Sequence, residues 1–188
     1  MIRISIISPS VRTGRNSHRA ALYINNLLRG KNIAETEILD LLKYNFPLFE
    51  ERLKYIESPS AGMVEFSDKI RQSDGVIIVV PEYNGGYPAS LKNAVDFLTD
   101  EWRKKPVAFI PVSDGNFGGS QAITSFQFSM WKIRAITVYP FFRIPDIADV
   151  LDENGKPLLS KAAEMDKRAS GFINELLWHI EAKRRMAE

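Results

Sequence analysis

GVIIVVPEYNGGYPASLKNAV, residues 75–95, decides the fold. After Gly75 the run is continuously apolar to Val80, as expected of a central parallel strand covered on both faces by helices. Pro81 ends that run. Glu82, Tyr83 and Asn84 then form a tight turn, and Gly85 and Gly86 let other groups approach the backbone closely. Pro88 suits the first turn of a helix, where its missing N–H costs nothing. Beyond it Leu91, Ala94, Val95, Leu98 and Trp102 recur at helical spacing. A buried strand passing through a glycine turn into an amphipathic helix is one half of a βαβ unit.

The same alternation extends outward in both directions. Strand-like runs occupy 2–8 (IRISIIS), 35–41 (ETEILDL), 106–112 (PVAFIPV) and 135–140 (AITVYP). Residues 17–29 place Ala20, Ala21, Ile24, Leu27 and Leu28 on one helical stripe, with Gly30 as its stop. A weaker helix spans 60–72. Two more are expected at 120–133, with the stripe Ile123, Phe126, Met130 and Ile133, and at 160–182, with Ala169, Phe172, Ile173, Leu176 and Ile180. Five rounds of strand and helix predict a doubly wound α/β domain over 1–188, three layers deep, with a five-stranded parallel sheet. Five strands favour the flavodoxin-like order 2-1-3-4-5. Two irregular stretches remain, 42–59 and 143–158, and the second, with its DENGKP turn, is expected to be a surface excursion or an interface arm.

Composition narrows the chemistry. The 188 residues carry 25 basic and 23 acidic side chains, too balanced for a nucleic-acid footprint. There are no cysteines, which excludes disulfides, thiolate metal sites, iron–sulfur clusters and a Cys nucleophile. His18 and His179 are the two histidines, too few for an all-His metal site. No apolar run approaches the roughly 20 residues that a membrane helix needs. The sequence opens directly in a strand-like run with no signal peptide ahead of it, so the expectation is a soluble cytoplasmic protein.

In an open α/β sheet, ligands bind beyond the carboxyl ends of the strands, where the strand order reverses. The first such loop, SPSVRTGRNS (8–17), offers hydroxyls at Ser8, Ser10, Thr13 and Ser17, the amide of Asn16 and the cations Arg12 and Arg15. It runs into a helix N-terminus, whose free N–H groups and partial positive charge suit a phosphate. It matches neither GxxxxGK[ST] nor GxGxxG, which argues against ATP or NAD as the tightly bound ligand. An ordinary N-cap would account for Asn16 or Ser17 alone. The second loop carries EYNGG, where a planar ring can lie against the turn, flanked by Tyr83. Lys92 and Asp96, at i,i+4, read as an ion pair rather than catalysts. The third, SDGNFGGSQA (113–122), is either a backbone nest for ring carbonyls or an anion, or an ordinary Asp-Gly-Asn turn.

Taken together, SxSxR with a following Ser, PEYN-x-x-x-P-x-x-LKNA-x-D and a GG loop resemble the NADPH-dependent FMN reductases, a flavodoxin-like group that includes quinone, azo-dye and chromate reductases. The likeness runs from residue 2 to about 140, and its middle motif is the specific one. It implies non-covalent FMN, its phosphate on Ser10, Arg12, Asn16 and Ser17. The isoalloxazine would rest on Pro81, Glu82, Tyr83, Asn84 and Gly85 and contact Ser113 and Gly115. NADPH or NADH would supply hydride for a small-molecule acceptor such as a quinone, azo compound, free flavin or chromate. A homodimer or homotetramer with flavin near the subunit interface is also implied. Where members of the group commonly have Gly-Ser, this chain has Pro9-Ser10, which removes one backbone donor.

Such chemistry needs no protein nucleophile, acid or base, because the cofactor carries the electrons. His18 is expected to be a solvated helix-start residue, and Glu82 to act structurally in its turn. Two rival readings are a flavodoxin-type electron carrier, which would be more acidic, and a non-enzymatic flavin-binding or redox-sensing module.

Overall fold

The computed structural model describes residues 1–186. Five strands, β1 (Arg3–Ser8), β2 (Glu35–Asp40), β3 (Gly75–Pro81), β4 (Pro106–Val112) and β5 (Ile136–Val138), form one parallel sheet in the order β2-β1-β3-β4-β5. Helices α1 (His18–Gly30), α2 (Leu41–Tyr44), α3 (Ala61–Gln72), α4 (Ala89–Asp96), α5 (Ser120–Lys132), α6 (Ile147–Val150) and α7 (Ala162–Arg185) connect and cover it. None of the described helices is long and apolar enough to cross a membrane.

Every residue of β3 and of β4 is buried, because both faces are covered. The period-two alternation of a strand divides them between two cores. Ile77, Val79, Ala108 and Ile110 pack with Ala20, Ile24 and Leu28 of α1 and Phe172, Ile173 and Leu176 of α7. Val76, Ile78, Val80 and Phe109 pack instead with Phe66 and Ile70 of α3, Leu91 of α4 and Phe126 of α5. Each fully buried side chain of this size contributes about 1.5–3 kcal/mol relative to leaving it in water.

The register positions the site. Ser8 lies opposite Asp40 at the ends of β1 and β2, and Pro81 opposite Val112 at the ends of β3 and β4. The chain crosses from β1 outward to β2, then back past β1 to β3, so the order reverses between β1 and β3. A crevice opens there at the carboxyl ends.

Three sequence expectations need correction. Helix α4 stops at Asp96, earlier than the stripe to Trp102 suggests; Leu98 and Trp102 are still buried, and Trp102 Nε1 donates to the Val95 carbonyl at 3.2 Å. The last strand is three residues long, not six. Pro140 has no N–H for the ladder, but pairing resumes past it, with Phe142 N–H donating to Phe109 and Ile144 N–H to Pro111. Residues 143–158 are no loose excursion. Arg19 donates to the Leu151 carbonyl at 2.9 Å, and the turn from Leu151 to Pro157 lies against α1. The pair Lys92–Asp96 forms as expected, at 2.5 Å on a partly exposed surface.

Gly155 makes the tightest approach in that turn. Its φ is +73°, and a Cβ there would stand 2.6 Å from Tyr23 N and 2.7 Å from Arg19 O, both rigid helix backbone. Gly155→Ala should therefore destabilise the protein by about 1–3 kcal/mol through strain and overpacking. Urea unfolding of parent and variant measures this; an unchanged midpoint would mean that the turn does not pack on α1.

Candidate functional site

The loop after β1 has no regular structure, so side chains must hold its backbone open. Arg15 does most of this. Its guanidinium donates to both carboxylate oxygens of Asp40, at 2.5 and 2.6 Å, and to the Ser10 carbonyl at 2.6 Å. The pair is nearly buried, with side chains 13% and 5% exposed. Burial alone would raise the Asp40 carboxyl, but the Arg15 contacts and the Leu42 N–H outweigh it and leave Asp40 below its ordinary value. Asp40 also caps α2 through that N–H. Ser90 Oγ donates to the Pro9 carbonyl at 2.6 Å, anchoring the loop to α4.

With Arg15 committed, Arg12 is left exposed and without an ion-pair partner among the described residues. Ser17, 5% exposed, is the N-cap residue of α1, yet its hydroxyl caps nothing. Ser10 is buried; its Oγ lies 2.5 Å from Tyr83 Oη and accepts a long bond from Arg12 N–H. A guanidinium, two hydroxyls and a helix N-terminus converging on one opening fit a phosphate ester.

The segment Tyr83 to Gly86 is a two-residue hairpin. Tyr83 and Gly86 exchange both backbone bonds, at 2.7 and 2.9 Å, while Asn84 and Gly85 sit at φ +51° and +78°. Positive φ at both central positions is the type I′ geometry that Asn-Gly satisfies. Glu82 is structural, as its turn position suggested, but its partner is distant: its carboxylate accepts from the N–H groups of Gln121 and Ala122 at the start of α5. Its own N–H donates to Val112. Glu82 therefore ties the hairpin to the third loop.

In the third loop, Ser113 Oγ accepts from Gly118 N–H at 2.9 Å and donates to the Gly115 carbonyl, folding the loop on itself. Asn16 reaches across to Asp114 at 3.4 Å, linking first and third loops. Ser10, Arg12, Asn16, Ser17, Pro81, Glu82, Tyr83 and Ser113 share one cleft. Asn84, Gly85 and Gly115 lie outside its lining, with Asn84 and Gly115 at exposed loop tips. Gly14, Arg15, Val112, Asp114 and Ile147 also line the cleft and were not among the expected cofactor-binding residues. Ile147 carried no signal, because only pairing beyond Pro140 brings it there. His18 is half-buried rather than solvated: its Nδ1 lies 2.8 Å from Ser8 Oγ.

This geometry can hold a phosphate at the first loop and a flat ring between the second and third. The model of the NADPH-dependent FMN reductase family matches residues 2–149. An NAD(P)H-dependent FMN reductase of Nectria sp. is 31% identical over 148 residues, covering 74% of this chain and 73% of that protein. An NADPH azoreductase of Bacillus sp. is 28% identical over 165 residues, covering 84% and 86%. Among solved structures, a flavoenzyme NAD(P)H:(acceptor) oxidoreductase from Paracoccus denitrificans superimposes with a TM-score of 0.79 at 22% identity, over 95% of this chain and 99% of that one.

Asp40→Asn removes one member of a nearly buried pair and should cost about 3–5 kcal/mol. Because the folded Asp40 carboxyl lies below its ordinary value of 3.8, its contribution is present above about pH 4 and is lost as pH falls through the lower folded value. The stability gap between parent and Asp40→Asn should accordingly narrow below about pH 4. Denaturant midpoints across pH check this, and a gap independent of pH would contradict it.

Proposed function

The chain belongs to the NADPH-dependent FMN reductase family, and on that premise we propose that it binds FMN in the cleft between β1, β3 and β4 and works as an NAD(P)H-dependent reductase. The observation that carries this reading is the Arg12 guanidinium, without an ion-pair partner among the described residues, in one cleft with the uncapped Ser17 hydroxyl at the N-terminus of α1. When bound, FMN supplies the redox chemistry, accepting hydride from a nicotinamide nucleotide and passing two electrons to a small acceptor.

The residues bind and orient. Ser10, Arg12, Asn16 and Ser17 hold the phosphate; Arg12 supplies the charge because Arg15 is held by Asp40 and Pro9 has no N–H to give. The ring lies along Pro81, Glu82, Tyr83, Asn84 and Gly85. Asn84 and Gly85 bring the hairpin backbone to it, and Ser113 and Gly115 close its other side. No side chain in the cleft has to act as acid or base. Quinones, azo compounds, free flavins and chromate are the acceptor classes to test.

We also propose a symmetric homodimer. Of the seven aromatic residues between Phe117 and Phe142, Phe126 and Phe142 belong to the core, while Phe117, Phe128, Trp131 and Tyr139 are 64–80% exposed. Phe128 and Trp131 lie ring to ring at 5.7 Å; exposed apolar surface of this kind marks interfaces, and two-fold closure is the commonest arrangement. Light scattering at micromolar concentration with FMN added should give at least twice the 21.3 kDa of one chain. A monomer with full FMN binding would overturn the dimer alone.

Two assays test the catalytic reading. The protein with FMN should oxidise NADPH or NADH when a quinone or azo dye is present; no acceptor-dependent oxidation with either nucleotide would refute it. Arg12→Ala should lose a charge-assisted contact of about 1.5–3 kcal/mol, a roughly 10- to 150-fold weaker FMN affinity, against a several-fold loss for Ser10→Ala. Riboflavin, lacking the phosphate, should respond to neither. If Arg12→Ala binds FMN as tightly as the parent, the phosphate does not lie in this loop.

A further inference from the structure

His18 is the first residue of α1, beneath the loop that carries Ser10, Arg12, Asn16 and Ser17. Its Nδ1 contacts the hydroxyl of Ser8, which is fully buried at the end of β1. A serine hydroxyl donates or accepts as required. The contact therefore survives in either charge state of the imidazole: Ser8 donates to the neutral ring and accepts from the protonated one.

The charges around His18 come from every element near it. Arg15 lies in the loop, Asp40 at the end of β2 and Lys43 on α2. Arg19 of α1 and Glu153 of the turn that packs on α1 line the same recess. Burial and Arg15, helped by Lys43, hold the imidazole below its ordinary value against the pull of Asp40. A positive charge at a helix N-terminus is also disfavoured by the helix dipole. The influences that oppose a proton outweigh the pull of Asp40. A phosphate at Ser10, Arg12 and Ser17 would bring up to two negative charges to Ser17, the residue directly before His18, and offset the surrounding cations.

We infer that His18 is a positioning residue that takes up a proton from solvent when a phosphate monoester fills the loop, so that phosphate capture and proton uptake form one linked step. The proton returns to solvent when the ligand leaves. The inference rests on reading this loop as the FMN phosphate site. By reciprocity, whatever FMN does to the proton affinity of His18, protonation does to FMN affinity.

The test uses the full chain and histidine proton NMR across pH. With two histidines, the His18 resonance is identified by its loss in His18→Gln or, should that variant fold poorly, by its persistence in His179→Gln. FMN should raise the His18 titration midpoint by about half to one pH unit, a three- to tenfold gain in proton affinity, while riboflavin leaves it unchanged. In parallel, the ratio of FMN affinities, parent over His18→Gln, should grow about two- to sixfold between roughly pH 8.5 and 5.5, short of the full factor because the unbound midpoint lies below the ordinary value. Taking the ratio cancels the second ionisation of the phosphate itself, near pH 6. A midpoint indifferent to bound FMN, or moved equally by riboflavin, overturns the linkage and leaves the cofactor reading intact. A chain that binds neither flavin overturns the cofactor reading and the linkage with it.

Discussion

The ion pair between Arg15 and Asp40 is the constraint on which the cleft depends. Parallel pairing brings Ser8 and Asp40 side by side at the ends of β1 and β2, and from Ser8 the chain must cross the crevice before α1 begins. A flexible loop there would lose conformational entropy on binding an anion. Arg15 prevents this by gripping Asp40 with two bonds and the Ser10 carbonyl with a third. Buried pairs of this type are weak sources of net stability, because desolvation offsets their attraction, and they act through the geometry they fix. Here the geometry fixed is a loop with one cation committed and the other, Arg12, exposed and without an ion-pair partner among the described residues.

The other walls are tied by the same logic at longer range. Glu82 fastens the hairpin after β3 to the start of α5, and Tyr83 reaches Ser10 across 73 residues. Asn16 meets Asp114, and Ser113 folds the third loop on itself. Loops that emerge from three adjacent strands are thus joined to one another by their own side chains. A site made in this way is preorganised before any ligand arrives, which is how irregular backbone can serve binding.

Much of this was legible in the sequence where the signal is periodic. GVIIVV and PVAFIPV read as two-sided buried strands because both faces meet helices, and the stripes on α1, α5 and α7 read directly from their spacing. A tight turn after Pro81 was legible too, but its centre lies at Asn84 and Gly85, one step beyond the Glu82–Asn84 turn expected. The sequence could not disclose the distant pairings. Nothing near Glu82 points to Gln121, and nothing near Arg15 distinguishes it from Arg12 until the register sets Asp40 beside the loop. His18 read as solvated because Ser8, its partner, looks like one more strand-end hydroxyl. The run at 135–140 overstated β5 because propensity does not register that Pro140 lacks a donor, and the return of the chain beside β4, which brings Ile147 to the cleft, is a tertiary event.

The proposed role of the cleft stands or falls on FMN binding by these three loops. Its most direct test is the visible absorption spectrum of the purified protein after incubation with FMN and removal of unbound ligand. Retained flavin bands are expected, with quenched flavin fluorescence in solution, and denaturation releasing a flavin that chromatographs as FMN. A colourless protein that leaves FMN fluorescence unquenched at every concentration would contradict it.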